Sequence, residues 1–422
     1  MKLFGIFRVS DYTSDQRRFT VAMVINSIGG GLFVTVSALY FTRIVGMSLE
    51  FFGLVISLAA GCGLIAGPLI GHYADTTGAR RLYVVVLLFE GAGSIFYVIL
   101  RGPAVVAVLL CAVTVFDRGA GATRGAFIAD LVAREGRVKF RAAVRSMSNA
   151  GAAVGAAAGA AILAVDTPFS YRVAIGVNAA SYVVTAALIF STSASPKLHA
   201  PDNSGKSIGP APPKAHLFGH DSALRNMPFM VITLLNAVLL LNGSMITVAL
   251  PLWVAKRTDA PLWIVSVVLV INTVAVVFLQ VPASRRVNSV PLAARAGLRA
   301  GIALAAASLL IALSGLTTGI LTVAIIVAVA LTQVAGELWQ SASSWALVFE
   351  LAPERSLGQY QGFFNAGVDI GALVAPALFA LIVAEGGFQG WEILAGVFVI
   401  SGMLLVPVAR WASHSHGSAL PP

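Results

Sequence analysis

The sequence predicts an all-α integral membrane protein with twelve transmembrane helices. The chain has 422 residues, of which 58% are hydrophobic and only 11% are charged, whereas an average soluble domain has about 25% charged residues. The hydrophobic residues form runs long enough to cross a bilayer, which takes about 20 residues for each helix. This composition leaves no room for a large soluble domain.

Twelve apolar runs follow one another along the chain, and one polar segment divides them into two groups of six. Their approximate bounds are 19–42, 51–74, 82–100, 104–130, 146–165, 171–190, 229–254, 261–283, 297–315, 319–345, 362–384 and 391–409. Short polar turns separate neighbouring runs. We therefore predict an N-terminal segment at 1–18, a six-helix bundle at 19–190, a linker at 191–227, a second bundle at 228–410 and a tail at 411–422.

The distribution of positive charge predicts the orientation of these helices. Most of the 28 lysine and arginine residues lie in segments that share a side with the N-terminus. By the positive-inside rule, both termini and the linker are expected in the cytoplasm. We expect a multi-pass protein of the plasma membrane. The same pattern accounts for the net charge of +10, so we expect a lipid bilayer rather than a nucleic acid as partner. We expect a monomer.

The two halves of the chain repeat each other weakly. The pattern Asn-Ala-Gly-x-x-x-Gly begins the fifth run at 149–155 and the eleventh run at 365–371. Asn26 in the first run has a counterpart in Asn236 in the seventh. These matches predict a duplicated six-helix unit with a pseudo-two-fold relation, as in transporters that rock two bundles about a site at the midplane.

A charged, glycine-marked turn joins the second and third runs. It reads Gly71-x-x-x-Asp75-x-x-Gly78-x-Arg80-Arg81. Gly71 allows close helix approach, Gly78 permits a positive φ, and Asp75 can accept hydrogen bonds from the free N–H groups of a neighbouring helix. The two arginines can pair with a carboxylate such as Asp130. The alternative is an ordinary solvated turn.

The fourth run is unusually polar for a membrane segment. Asp117, Gly121 and Arg124 share one helical face, and Arg118 lies about 100° away from Asp117. Buried ionisable groups in a membrane are costly and by default mark a transport pathway or a proton relay. A structural Asp–Arg pair between helices is the alternative.

The tenth run has a polar stripe made of Gln333, Glu337, Gln340, Ser341 and Ser344. Lipid cannot satisfy such groups, so the stripe should face an aqueous cavity or another helix. Glu337 is the candidate of the second half for proton or cation binding, and an interhelical hydrogen-bond ladder is the alternative. Asn26 and Asn236 suit a cavity wall. Glu90 in the third run is at least as well explained by structure as by transport.

The turn between the second and third runs resembles the signature loop of the major facilitator superfamily. The family usually has a basic residue at the position of Thr76. The resemblance implies the twelve-helix fold of that family and a cavity between its two bundles. It also implies a cytoplasmic latch at Asp75 and a charge relay of Arg80 or Arg81 with Asp130. Asp369 in the eleventh run is expected near the same gate.

Two further patterns resemble motifs of the exporters of this family. Arg118 with Gly121 resembles the arginine and glycine motif of the fourth span, which is associated with proton coupling, although the usual glutamine is absent. The glycine ladder at 151–159 resembles the fifth-span motif, but Ala156 replaces the expected proline.

These observations lead to a functional hypothesis. We expect a secondary transporter that exports a small organic compound, drug-like or natural-product-like, by proton antiport. The candidate pathway residues are Asn26, Asp117, Arg118, Arg124, Asn236, Gln333, Glu337 and Gln340. The candidate gate residues are Gly71, Asp75, Gly78, Arg80, Arg81, Asp130 and Asp369.

The alternatives are a proton-coupled or facilitative importer of a sugar, amino acid or organic anion and, more remotely, a sensor or scaffold without flux. The sequence has no nucleotide-binding motif, which argues against an ATP-driven transporter. We expect no enzymatic activity, no cofactor and no metal site, with a proton gradient as the driving force.

Overall fold

The computed structural model describes residues 12–193, 222–382 and 386–417. Within these residues, twelve helices are long and apolar enough to cross a membrane, which confirms the predicted number. We label them α1 to α12. Their bounds are Ser14–Ile44, Glu50–Thr77, Ala79–Ile99, Pro103–Leu131, Arg134–Val165, Pro168–Phe190, Met227–Arg257, Trp263–Ser284, Val290–Ser314, Ile320–Leu351, Glu354–Phe379 and Gly387–His414. Most of the predicted linker lies outside the described residues.

Some helices continue well beyond their predicted apolar runs. The regular part of α5 begins at Arg137 rather than at 146, and α10 ends at Leu351 rather than at 345. The added turn of α5 is rich in arginine and lysine, so its hydropathy is low although its backbone is helical. Arginines that the sequence predicts in a loop therefore lie on a helix.

The packing follows the predicted repeat of six helices. In the first half, α1 packs on α5 and α6, and α3 packs on α4 and α6. In the second half, α7 packs on α11 and α12, and α9 packs on α10 and α12. At the interface between the halves, α2 packs on α11 and α5 packs on α8. The repeat that relates each helix of the first half to the one six places later exchanges these two pairs. The fold is thus two six-helix bundles related by a pseudo-two-fold axis.

Because twelve crossings return the chain to its starting side, α1 begins and α12 ends at one end of the molecule. We call this the gate end. The turn between α2 and α3 lies there and consists of Gly78 alone, between Thr77 and Ala79. Gly78 has φ +98°, a conformation that residues with a Cβ rarely adopt.

Glycines bring α2 and α11 into backbone contact across the two halves near the gate end. A Cβ atom on Gly71 would collide with the carbonyl oxygen of Gly358, and one on Gly362 would collide with that of Gly67. Small residues at such crossings allow close helix packing in membranes. The approach of the halves therefore depends on the absence of side chains here.

We expect the variant Gly71→Leu to separate the two halves at the gate end. Overpacking a tight contact costs about 1–3 kcal/mol, which shifts an equilibrium about 5- to 150-fold. Spin labels on the gate ends of α2 and α11 should report a longer distance. Gly61→Leu is the matched control on the same helix, because its Cβ would meet no atom within 4 Å. An unchanged distance in Gly71→Leu would contradict this account.

Candidate functional site

Four arginines follow one face of α5 at the gate end, and we call them the arginine stripe. They are Arg134, Arg137, Arg141 and Arg145, with spacings of three, four and four residues. Each contacts a residue of the other half. The pairs are Arg134 with Glu350 at 3.2 Å, Arg137 with Glu354 at 3.1 Å, Arg141 with Gln361 at 2.9 Å and Arg145 with Glu337 at 2.5 Å.

Two aromatic side chains of α10 support the inner part of the stripe. The guanidinium groups of Arg141 and Arg145 each lie 5.6 Å from the centre of the Trp345 ring, and Arg141 lies at the same distance from Phe349. Cations over aromatic faces are attracted by the ring quadrupole, by about 0.5–2 kcal/mol. The aromatic rings therefore help to hold cations that are turned away from water.

Glu337 is the acid that the innermost arginine of the stripe binds. Arg145 donates to Oε1 at 2.5 Å, while Asn272 and Gln333 donate to Oε2 at 2.8 and 3.3 Å. The Glu337 side chain is only 15% exposed. All three partners donate a hydrogen, so both oxygens act as acceptors. The carboxyl group of Glu337 therefore joins α5 of the first half to α8 and α10 of the second.

The other amides of the predicted stripe on α10 lie inside the second bundle. Gln340 donates to the Oδ1 atom of Asn236 at 2.9 Å, and Gln333 donates to that of Asn242 at 3.0 Å. Asn236, Gln333 and Gln340 are buried. In this conformation the amides of α7 and α10 satisfy one another, and the role of Asn236, Gln333 and Gln340 in a transport pathway stays a prediction. In this conformation they form the interhelical ladder that the sequence left as an alternative.

A second ion pair links the halves through α4 and α11. Arg118 lies 3.0 Å from Asp369, whose side chain is 7% exposed, and 4.0 Å from Asp117. The arginine thus binds the acid of the opposite half more closely than its own neighbour. The stem of Arg118 covers Gly63 of α2, where a Cβ atom would lie 2.6 Å from its Cγ.

The remaining pathway candidates belong to the first bundle. Asp117 is exposed, and Arg124 and Asn26 are half-buried. Arg124 lies beside Tyr83. Gly121, on the same face of α4, points at the other half, because a Cβ atom there would lie 2.9 Å from the amide nitrogen of Asn365.

The gate motif joins the two halves by a helix cap. The carboxylate of Asp75 accepts hydrogen bonds from the backbone N–H groups of Gly358 at 2.7 Å and Gln359 at 2.9 Å. The regular part of α11 begins at Leu357, so both groups belong to its first turn. Free N–H groups and the helix dipole make this position favourable for an anion.

Arg80 of the motif has a partner that the sequence did not indicate. Arg80 donates to the carbonyl oxygen of Thr192 at the end of α6. It therefore fixes the last turn before the linker to the start of α3. The charge relay of Arg80 or Arg81 with Asp130 stays a prediction.

The arginine stripe is the part of this site that sequence reasoning missed. The positive charge of this segment, which the sequence predicts as a loop, was interpreted only as a sign of how the helices are oriented in the membrane. The spacing of Arg137, Arg141 and Arg145 would nevertheless place all three on one face of a continuous helix. That periodicity was the available signal. Nothing in the sequence indicated the bond between Asn272 and Glu337.

Similarity to known proteins agrees with this architecture. The family model described as Major Facilitator Superfamily matches residues 19–335 and 232–422. A bacterial homologue of the iron transporter ferroportin, in an outward-facing state, has a TM-score of 0.70 at 16% identity and covers 95% of this chain and 100% of its own. No protein with a curated description matches in sequence.

Two other solved structures have the same fold. The human organic anion transporter MFSD10 has a TM-score of 0.67 at 15% identity, over 93% of this chain and 100% of its own. The E. coli fucose:proton symporter has a TM-score of 0.66 at 12% identity, over 94% of this chain and 98% of its own. With the family model matching nearly the whole chain, this protein is a membrane transporter rather than an enzyme, and it belongs to the major facilitator superfamily.

Proposed function

We propose that this transporter exports a small organic compound in exchange for protons, by alternating access. The observation that carries the proposal is the double role of Glu337. It is a nearly buried acid in a membrane helix, and its charge holds Arg145 of the opposite half at 2.5 Å. A proton on Glu337 would remove that charge. Proton binding and the contact between the halves would then be linked through one side chain.

The expected position of the gate end gives this linkage a direction. The positive-inside rule predicts that the gate end faces the cytoplasm, and the described side-chain contacts between the halves run from that end to the middle of the helices, at Glu337 and Asp369. The conformation then corresponds to an outward-facing state. A proton arriving from outside neutralises Glu337, Arg145 is released, and the gate opens to the cytoplasm. Loss of the proton there restores the pair. Protons move inward, and the compound bound from the cytoplasm moves outward.

Asp117 is the second candidate for carrying the proton. Its side chain is 55% exposed and lies 4.0 Å from Arg118, which in turn binds Asp369 of the other half. A proton on Asp117 would change the balance of charge around that second pair. The effect on the gate would be smaller than at Glu337, because Arg118 keeps its closer partner.

The arginines favour an organic anion as a second candidate substrate, carried in either direction. Arg118 is 39% exposed and Arg124 is half-buried, so both can reach a bound ligand. Guanidinium groups bind carboxylates and sulfonates through paired hydrogen bonds.

Proteoliposomes with a pH gradient of either sign separate export from import. An acidic lumen should drive accumulation by an antiporter, and an acidic exterior should drive accumulation by a symporter.

We expect Glu337→Gln to reduce uphill, proton-driven transport by about tenfold or more, which is the fold-change that a typical coupling free energy produces. The reason is that the amide cannot change charge with the proton gradient. Counterflow, which needs no gradient, should persist. Glu392→Gln on α12 is the control, because that carboxylate is exposed. Full uphill transport by Glu337→Gln would rule out Glu337 as the coupling acid.

We expect Asp75→Asn to shift the population toward states that are open at the gate end. The amide keeps one acceptor oxygen but loses the charge that strengthens both bonds to α11, a loss of about 1–2 kcal/mol, or roughly tenfold in the ratio of states. Distances between spin labels on α2 and α11 measure this ratio. Ligand binding should remain. Distances equal to those of the wild type would count against a latch at Asp75.

A further inference from the structure

A buried acid in the first bundle takes no part in the contacts between the halves. Glu90 lies on α3 and is 2% exposed. Its Oε1 atom is buried without a hydrogen-bond partner within the described residues. A buried carboxyl group with one unsatisfied oxygen is unusual, because buried polar atoms are nearly always hydrogen-bonded. The position therefore calls for a chemical explanation beyond packing.

Glu90 is part of a polar seam between α3 and α6. The carboxyl group interacts with Tyr182 of α6. One turn further along α3, Ser94 accepts a hydrogen bond from Asn178 of α6 at 3.4 Å. The Oδ1 atom of Asn178 is also buried without a partner in the described part of the chain. The seam thus holds two acceptor oxygens that lack a donor.

Two charged groups of α4 interact electrostatically with Glu90. Asp117 opposes a negative charge on Glu90, while Arg124 favours one. Arg124 also faces Tyr83 of α3, so its charge is shared. An ionised carboxylate at this depth would be only partly compensated, at a cost of several kcal/mol. The neutral acid avoids this cost.

We propose that Glu90 is a second proton-binding residue, which carries a proton in this conformation and passes it to Asp117 when the bundles reorient. In that step the O–H bond of Glu90 breaks and an O–H bond forms on the carboxylate of Asp117. Arg124 then faces the new charge on Glu90. Asp117 is exposed, so the proton can leave from there. The proposal rests on the proposed proton-coupled function.

Glu90 differs from Glu337 in what its proton would do. Glu337 is bound by an arginine and two amides, so its proton has to displace those donors. Glu90 is approached by one donor, the hydroxyl group of Tyr182, and its Oε1 atom has no hydrogen-bond partner within the described residues, so a proton on that oxygen displaces no donor. The two acids would therefore hold protons in opposite phases of the cycle, with Glu90 loaded while Glu337 is ionised.

Infrared spectra of the full-length protein in lipid, compared between the wild type and its variants, test whether Glu90 is protonated. We expect a carbonyl band of a protonated carboxylic acid at neutral pH that shifts in D2O. Glu90→Gln should lose this band, and Glu50→Gln, a control at the exposed start of α2, should retain it. Glu90→Asp keeps a carboxyl group and should show a shifted band. A spectrum unchanged by Glu90→Gln would overturn the proposal.

Transport by the same variants tests whether the proton moves. Glu90→Gln should keep counterflow and lose uphill accumulation by about tenfold, while Glu90→Asp retains part of it and Glu50→Gln all of it. If Glu90→Gln loses the band but transports like the wild type, the proton is static and the proposal fails, while the proposed function stands. If wild-type transport ignores the pH gradient, the proposed function itself fails.

Discussion

The contact of Arg145 with Glu337 is the interaction on which this conformation depends most. The outer pairs of the arginine stripe reach water, since Arg134 is 49% exposed and Glu354 is 69% exposed. Exposed ion pairs contribute about 0–1 kcal/mol. Removing one partner of a buried pair costs about 3–5 kcal/mol, because the other charge is left uncompensated. Breaking the innermost pair, whose side chains are 29% and 15% exposed, is therefore expected to disturb the contact between the halves more than breaking an outer pair.

The other contacts at the gate end position that pair. Backbone contact between α2 and α11 requires glycine at Gly71 and Gly358, and the carboxylate of Asp75 then caps the first turn of α11. These bonds fix the distance between the halves. Glu337 adds a group whose charge can respond to a proton. In the proposed function, this rigid frame and the ion pair of Glu337 together form a gate that a proton gradient would drive.

The two deep ion pairs follow the pseudo-two-fold relation of the bundles. One joins α5 to α10 through Arg145, and the other joins α4 to α11 through Arg118. The symmetry exchanges these helix pairs, but the cation belongs to the first half in both cases. The second half supplies both acids, Glu337 and Asp369. In the proposed cycle, reorientation of the bundles would separate two arginines from two carboxylates, and each carboxylate would become available to a proton.

Much of the fold could be predicted from the sequence, because hydrophobic length and charge asymmetry are strong signals in a membrane protein. The capping chemistry of Asp75 could be predicted from its position at a helix end, although its partner helix could not. The burial of Asn236 and Gln340 was missed because helical periodicity shows which residues share a face, and not which helix covers that face. The role of Arg145 was missed because the low hydropathy of residues 137–145 made this first part of the α5 helix resemble a loop.

The most direct measurement is a pH titration of the distance between spin labels on the gate ends of α5 and α10, in the wild type and in Arg145→Ala. The account predicts that acidification lengthens this distance in the wild type, because the protonated acid no longer holds the arginine. Arg145→Ala should show the longer distance at every pH. A distance that does not change with pH in the wild type, or a pH response that survives in Arg145→Ala, would contradict the central claim.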